Sequence, residues 1–201
     1  MEKTIIQNHQ LRGKKYDIET LPEDIQSLIV KLPFRVGYYI SASDTTGGDE
    51  ADDAEMRALE NIVTFYVEDT LKSEFATEAM LEMLRKKEHW ESWKEHIEIV
   101  PEECLKMSEA LIGYIELKEV IAFKNNLLEI AISVAQAYRE FDHNVSTFEK
   151  FSTYFAILLK RIQALIAGQE IQSTDAMLNI SREEKMAIGL LADSLGIQVK
   201  L

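Results

Sequence analysis

Cysteine occurs once, at Cys104, proline three times and glycine eight times in 201 residues. Each shortage excludes something. A lone cysteine cannot close an internal disulfide, so the fold must rest on its own core, and a reducing compartment, the cytoplasm, is the expected location. With so few prolines and glycines, and no Ser- or Pro-rich linker, one continuous domain is expected. Long apolar runs are missing too. The longest late one, Tyr154 to Ala167, is broken by Lys160 and Arg161, whose stems should lie along a packed helix with their charges in water. No transmembrane segment is expected, and no signal peptide either, because Met1 to Asn8 carries no apolar core. Basic charge is scarce as well: 22 Lys and Arg against 35 Asp and Glu leave a net −13 and a pI near 4.8. That sign argues against nucleic acid and leaves a protein as the expected partner, a second copy of the chain included.

What is present is 46% apolar residues, almost all at helical spacing, enough for a sizeable core. The expectation is an all-α, bundle-like domain of about seven helices over residues 21–201, after an irregular segment 1–20 with a basic patch at Arg12, Lys14 and Lys15. Thr20-Leu-Pro-Glu23 has the form of a capping box, and Pro33 should restart the helical pattern before the apolar stretch Phe34 to Ser43. Beyond a polar break, Met56, Leu59, Ile62, Val63, Tyr66, Val67 and Leu71 form one stripe; Phe75, Met80, Leu81 and Leu84 form the next, ending near Lys86. His89, Trp93 and His96 fall at i, i+4 and i+7, a spacing that places them on one helix face. Pro101 opens a helix with Cys104, Met107, Leu111, Tyr114 and Ile115 inward. Leu127 to Phe141 is the most apolar stretch and should be central. Ser146-Thr-Phe-Glu149 and Ser181-Arg-Glu-Glu184 are further capping boxes, with Gly168 and Gly196 as helix stops.

The functional signal is the acidic stretch between the first apolar helices. Asp44, Asp49, Glu50, Asp52, Asp53, Glu55 and Glu60 stand there against a single base, Arg57. Crowded carboxylates repel unless they sit at a helix N-terminus, face open water or share a cation. Helix-dipole complementarity, worth roughly 0.3–1 kcal/mol per acid, accounts for Asp52, Asp53 and Glu55. It does not account for all seven. Asp44 to Glu55 has the twelve-residue length of an EF-hand loop. Thr46 and Gly48 stand at its third and fifth positions, however, and Asp49 where the turn glycine belongs, so it is not one. Several carboxylates on a Gly47-Gly48 loop could still converge on one hard cation.

Leu127-Leu-Glu-Ile-Ala-Ile-Ser-Val-Ala135 and Glu183-Glu-Lys-Met-Ala-Ile-Gly-Leu-Leu-Ala-Asp-Ser-Leu-Gly-Ile197 carry a resemblance to the tellurite-resistance TerB-like family. So does the twofold layout of apolar helix, polar break and acid-led helix. The resemblance implies an all-helical fold with an internal near-repeat. It also implies a divalent-cation site, calcium above all, at an Ala-Asp-Gly turn followed by acids. Ala42-Ser43-Asp44 with Gly47-Gly48 takes the place of that turn, and Asp52, Asp53 and Glu55 that of the acids; three or four extra residues lie between. The second half has Ala135-Gln136-Ala137-Tyr138 at the turn and an insertion of about Phe148 to Ile180. With the aspartate and the glycine gone, no second site carries over.

Other groups have plainer explanations. Glu140-Phe-Asp-His143 has the spacing of a di-iron motif, but that site needs two, and no other histidine has a glutamate three residues earlier. His89 and His96 are expected to flank Trp90 and Trp93 at a surface or packing contact, and Cys104 to be buried and inert. No phosphate loop, nucleophile elbow or His-Glu-x-x-His is present. The expected function is therefore a non-enzymatic helical module. Asp44, Asp49, Asp52, Asp53 and Glu55 would bind a divalent cation and couple it to partner binding or a stress response. The competing expectation is a metal-free adaptor or oligomerisation domain with an acidic docking face.

Overall fold

Amphipathic stretches of this kind bury one stripe each, and the arrangement that satisfies them is a bundle packed around two inner helices. The structure, a computed structural model, describes residues 16–43, 59–66, 73–140, 160 and 180–199, with backbone only for 137–140. Its helices are α1 (Glu23–Ser41), α2 (Glu74–Arg85), the single turn α3 (Trp90–Trp93), α4 (Val100–Ala110), α5 (Leu117–Glu140) and α6 (Arg182–Leu195). Residues 59–66 are also helical. Three-residue 3-10 turns lie at Ile18–Thr20, Lys87–His89 and Ile97–Ile99. Among the described residues there is no strand, only an isolated bridge between Ile112 and Ile115. The fold is all-α, as expected.

α1 and α5 form the centre. α1 packs on α5, α4, α2 and α6, while α5 also meets α2 and α6. Leu127, Leu128, Ile130, Ala131, Ile132, Val134 and Ala135 of α5 are all buried, which follows from apolar residues covering most of the girth of that stretch, Glu129 and Ser133 excepted. On α1 the buried set is as dense: Ile29, Leu32, Phe34, Val36 and Ile40 have no exposed surface. No described helix is long and apolar enough to cross a membrane.

Several local expectations hold and several do not. The Ser181 box forms in full: Glu184 N–H donates to Ser181 Oγ (3.1 Å), and Ser181 N–H to Glu184 Oε2 (2.7 Å). Gly196 ends α6 at φ +67°, the left-handed conformation that glycine adopts without strain. The Thr20 box does not form. Thr20 Oγ1 donates to the Asp17 carbonyl (2.7 Å), Pro22 precedes the first turn, and no side chain caps α1. Pro33 does not restart the helix either; α1 runs through it. A proline inside a helix costs about 3 kcal/mol, and here the dense burial around it outweighs that cost. The inner face of α4 also stops short: the helix ends at Ala110, and Gly113 at φ +108° turns the chain so that Tyr114 is exposed. Ser146, Glu149 and Gly168 lie outside the described residues.

Candidate functional site

The acidic segment leaves α1 and returns at residue 59, so its two anchorages are set by how those helices meet. At its C-terminal end α1 is closed by backbone bonds from Ala42 N–H to the Tyr38 carbonyl (2.8 Å) and from Ser43 N–H to the Ile40 carbonyl (3.0 Å). Ser43 Oγ adds a bond to the same Ile40 carbonyl (2.7 Å). On the returning side Leu59, Ile62, Val63 and Tyr66 are buried, as their stripe predicts. The two helices touch at Gly37. A Cβ built there would collide with the Leu59 side chain, so the missing side chain of Gly37 is what lets Leu59 seat itself on α1.

Asp44, Asp49, Asp52, Asp53 and Glu55 lie outside the described residues, as do Glu50 and Arg57. Glu60, the last acid of the series, is described, and it pairs with Lys87, whose ammonium also lies 5.5 Å from the Trp90 ring centroid. That partner, 27 residues along the chain, explains Glu60 without a metal. The remaining acids offer only oxygen donors, the set that suits calcium, which takes roughly six to eight oxygens. Among the described residues no group of three or more His, Cys, Asp or Glu side chains is placed to hold a metal ion.

Beneath the returning stretch, α5 presents Glu129, Ser133 and Gln136, all buried, at the i, i+4, i+7 spacing of one face. Tyr66 lies fully buried beside the first two. Loss of water pushes its phenol well above the ordinary value, and the Glu129 charge pushes the same way.

A second polar constellation, on the other side of α1, was not singled out by its sequence. Arg35 is buried, and its Nε donates to Glu103 Oε2 (2.6 Å), whose other oxygen takes Lys31 Nζ (2.7 Å). The rest of the guanidinium donates to backbone carbonyls: Nη1 to Trp93 and to Glu95 (2.8 Å), Nη2 to His96 (2.9 Å). All the polar ends are therefore met, which a buried charge requires. The one basic residue inside the apolar run Phe34 to Ile40 was the available signal.

These bonds also undo the expected helix over His89, Trp93 and His96. The chain there makes only α3 and turns, with His96 left-handed at φ 50°. Both histidine side chains are mostly exposed. Trp90 is buried, its ring 4.8 Å from that of Phe34 and its Nε1–H donating to the Met83 carbonyl (3.2 Å), so it belongs to the core. His89 stacks near Trp93 at 6.4 Å. Cys104 is buried as expected. Burial raises its thiol strongly, the Glu103 charge adds to the rise and Arg35 opposes it, so the sulfur stays protonated at neutral pH. Burial also raises the phenol of Tyr39, with Cys104 a smaller cause.

No family model, no curated protein and no solved structure matches this chain.

Proposed function

We propose that the protein is a non-enzymatic helical module of TerB-like type. In it Asp44, Asp49, Asp52, Asp53 and Glu55 bind one divalent cation, calcium by preference, and pass its presence to a protein partner. The observation that carries this reading is the crowding itself. Seven acids lie between Asp44 and Glu60 against one base, Arg57, and a helix dipole serves at most the acids of one first turn. Bound cation would offset the mutual repulsion of these carboxylates. Both ends of the segment are tied to buried helices in contact at Gly37 and Leu59, so ordering it bears on the α1 end and on residues 59–66 together.

Thermal unfolding of chelator-stripped protein at fixed ionic strength tests this reading. Ligand at a hundred times its dissociation constant adds about 2.7 kcal/mol, which should raise the midpoint of a chain this size by roughly 5–10 °C. Calcium should do so in the parent and not in a variant carrying Asp44→Ala and Asp52→Ala. A shift that survives in that variant rules out the assigned acids. The absence of any shift beyond a general salt effect favours the metal-free adaptor, for which the net −13 speaks. Its binding to a basic partner should then weaken with salt and ignore chelators.

A further inference from the structure

The acidic segment follows α1 and ends where the chain returns at residue 59, and one irregular stretch, Lys86 to Ile99, meets both of those anchorages with a lysine. Lys94 Nζ lies 5.3 Å from the centroid of the Tyr38 ring on α1 and 2.8 Å from Glu91 Oε1. Lys87 pairs with Glu60 on the returning helix, and its ammonium lies 5.5 Å from the Trp90 ring centroid. The stretch is held in place independently of these lysines. Arg35 binds its carbonyls at Glu95 (2.8 Å) and His96 (2.9 Å), and Trp90 is fixed by its Nε1–H on the Met83 carbonyl (3.2 Å) and by the Phe34 ring 4.8 Å away.

The two lysines differ in the acid they neutralise. Glu91 belongs to the same stretch as Lys94, three residues away, so that charge is answered locally. Glu60 is 27 residues from Lys87 and is the last acid of the crowded series, five residues after Glu55. Lys87 therefore brings a tethered positive charge to an acid of the series that a divalent cation would neutralise. Like charges repel. An ammonium on Glu60 and a cation among the neighbouring acids oppose each other, and each weakens the hold of the other by the same factor.

We propose that Lys87 is a built-in competitor that sets the affinity of the cation site: it neutralises Glu60 in the cation-free protein and releases it as the cation binds, an inference that rests on the cation reading above. The turn carrying Lys87 and Trp90 is then the place where cation binding changes the charge offered to a partner.

Calorimetric titration of the chelator-stripped full chain with calcium tests the proposal. Lys87→Met should bind calcium about two- to fivefold more tightly than the parent, the effect of one solvent-screened charge pair. Lys94→Met, which removes the same charge from the same stretch, should change the affinity less. Added to Glu60→Gln, Lys87→Met should lose its effect, because the competition runs through that carboxylate. The paired side chains of Lys87 and Glu60 are 37% and 33% exposed, so both variants should fold as the parent does. Emission from Trp90, isolated by Trp93→Phe, should change with calcium and cease to do so once Lys87→Met is added. If the parent binds calcium but Lys87→Met binds it no more tightly, or Lys94→Met tightens binding equally, the proposal is overturned while the cation reading stands. A parent that binds no calcium overturns both.

Discussion

Two residues apart on α1, Arg35 and Gly37 hold their neighbours by opposite means. Arg35 reaches out: one guanidinium satisfies Glu103 and three backbone carbonyls of an irregular stretch, so that stretch is positioned by charge and hydrogen bonds. Gly37 holds back, and its missing side chain leaves the place that Leu59 fills. The first contact depends on polar groups that must all be met, the second on volume. The Arg35 side is consequently held by directed bonds, whereas the Gly37 side is a packed apolar joint between the two helical stretches that flank the acidic segment in sequence. The proposed cation response would pass through the second kind of contact.

Removing the charge should do the most damage. Arg35→Ala leaves Glu103 buried with Lys31 alone and strips the carbonyls of Trp93, Glu95 and His96 of their donor. Breaking a buried pair in this way costs about 3–5 kcal/mol, to be read from the denaturant midpoint. A loss below about 1 kcal/mol, the level of an exposed pair, would mean that the guanidinium is solvated in solution.

Filling the joint should come next. Gly37→Ala inserts a methyl against Leu59, an overpacking cost of about 1–3 kcal/mol, partly offset by alanine's helix preference of about 1 kcal/mol. Leu59→Ala alone should lose about 2–5 kcal/mol. Because the two side chains compete for one space, the double variant should be less destabilised than the sum. Strict additivity would show that they do not touch.

Alkaline pH probes both sides. Cys104 beside Arg35 and Tyr66 on the 59–66 stretch both have folded pKa values above their unfolded ones. Their contribution to stability is complete below the unfolded values, about 8.5 for cysteine and about 10 for tyrosine. Above them the unfolded chain ionises first, and stability should fall by up to about 1.4 kcal/mol per pH unit for each group. Cys104→Ala should remove the earlier part of that slope and leave the later part, in equilibrium unfolding followed from neutral pH upward.

The smallest effect separates two helix starts that look alike as sequence. Ser181→Ala should cost about 1 kcal/mol, the worth of an N-cap, while Thr20→Ala should cost less, because Thr20 caps nothing in α1.

That pair also shows what was legible in the chain. The Ser181 box, the Gly196 stop and the burial of α5 are set by neighbours within one or two turns, and local pattern suffices to see them. The Thr20 box fails because Asp17 takes the threonine hydroxyl, and Pro33 fails as a breaker because burial in α1 outweighs it. The helix expected through His89, Trp93 and His96 is lost to Arg35, which claims carbonyls that a helix would have used itself. Its partner Glu103 is 68 residues away, beyond the reach of any periodicity. For the candidate site, the acids stand out by composition alone. The pairing of Glu60 with Lys87 and the seating of Leu59 on Gly37 depend on tertiary approach, which spacing does not encode.

The most direct measurement of the cation proposal is backbone hydrogen exchange of chelator-stripped protein with and without calcium. The proposal predicts slower exchange at the C-terminal turns of α1 and over residues 59–66, with α6 unchanged and the difference gone in the Asp44→Ala, Asp52→Ala variant. Unchanged exchange at both flanks under calcium, or slowing that persists in the variant, would contradict it.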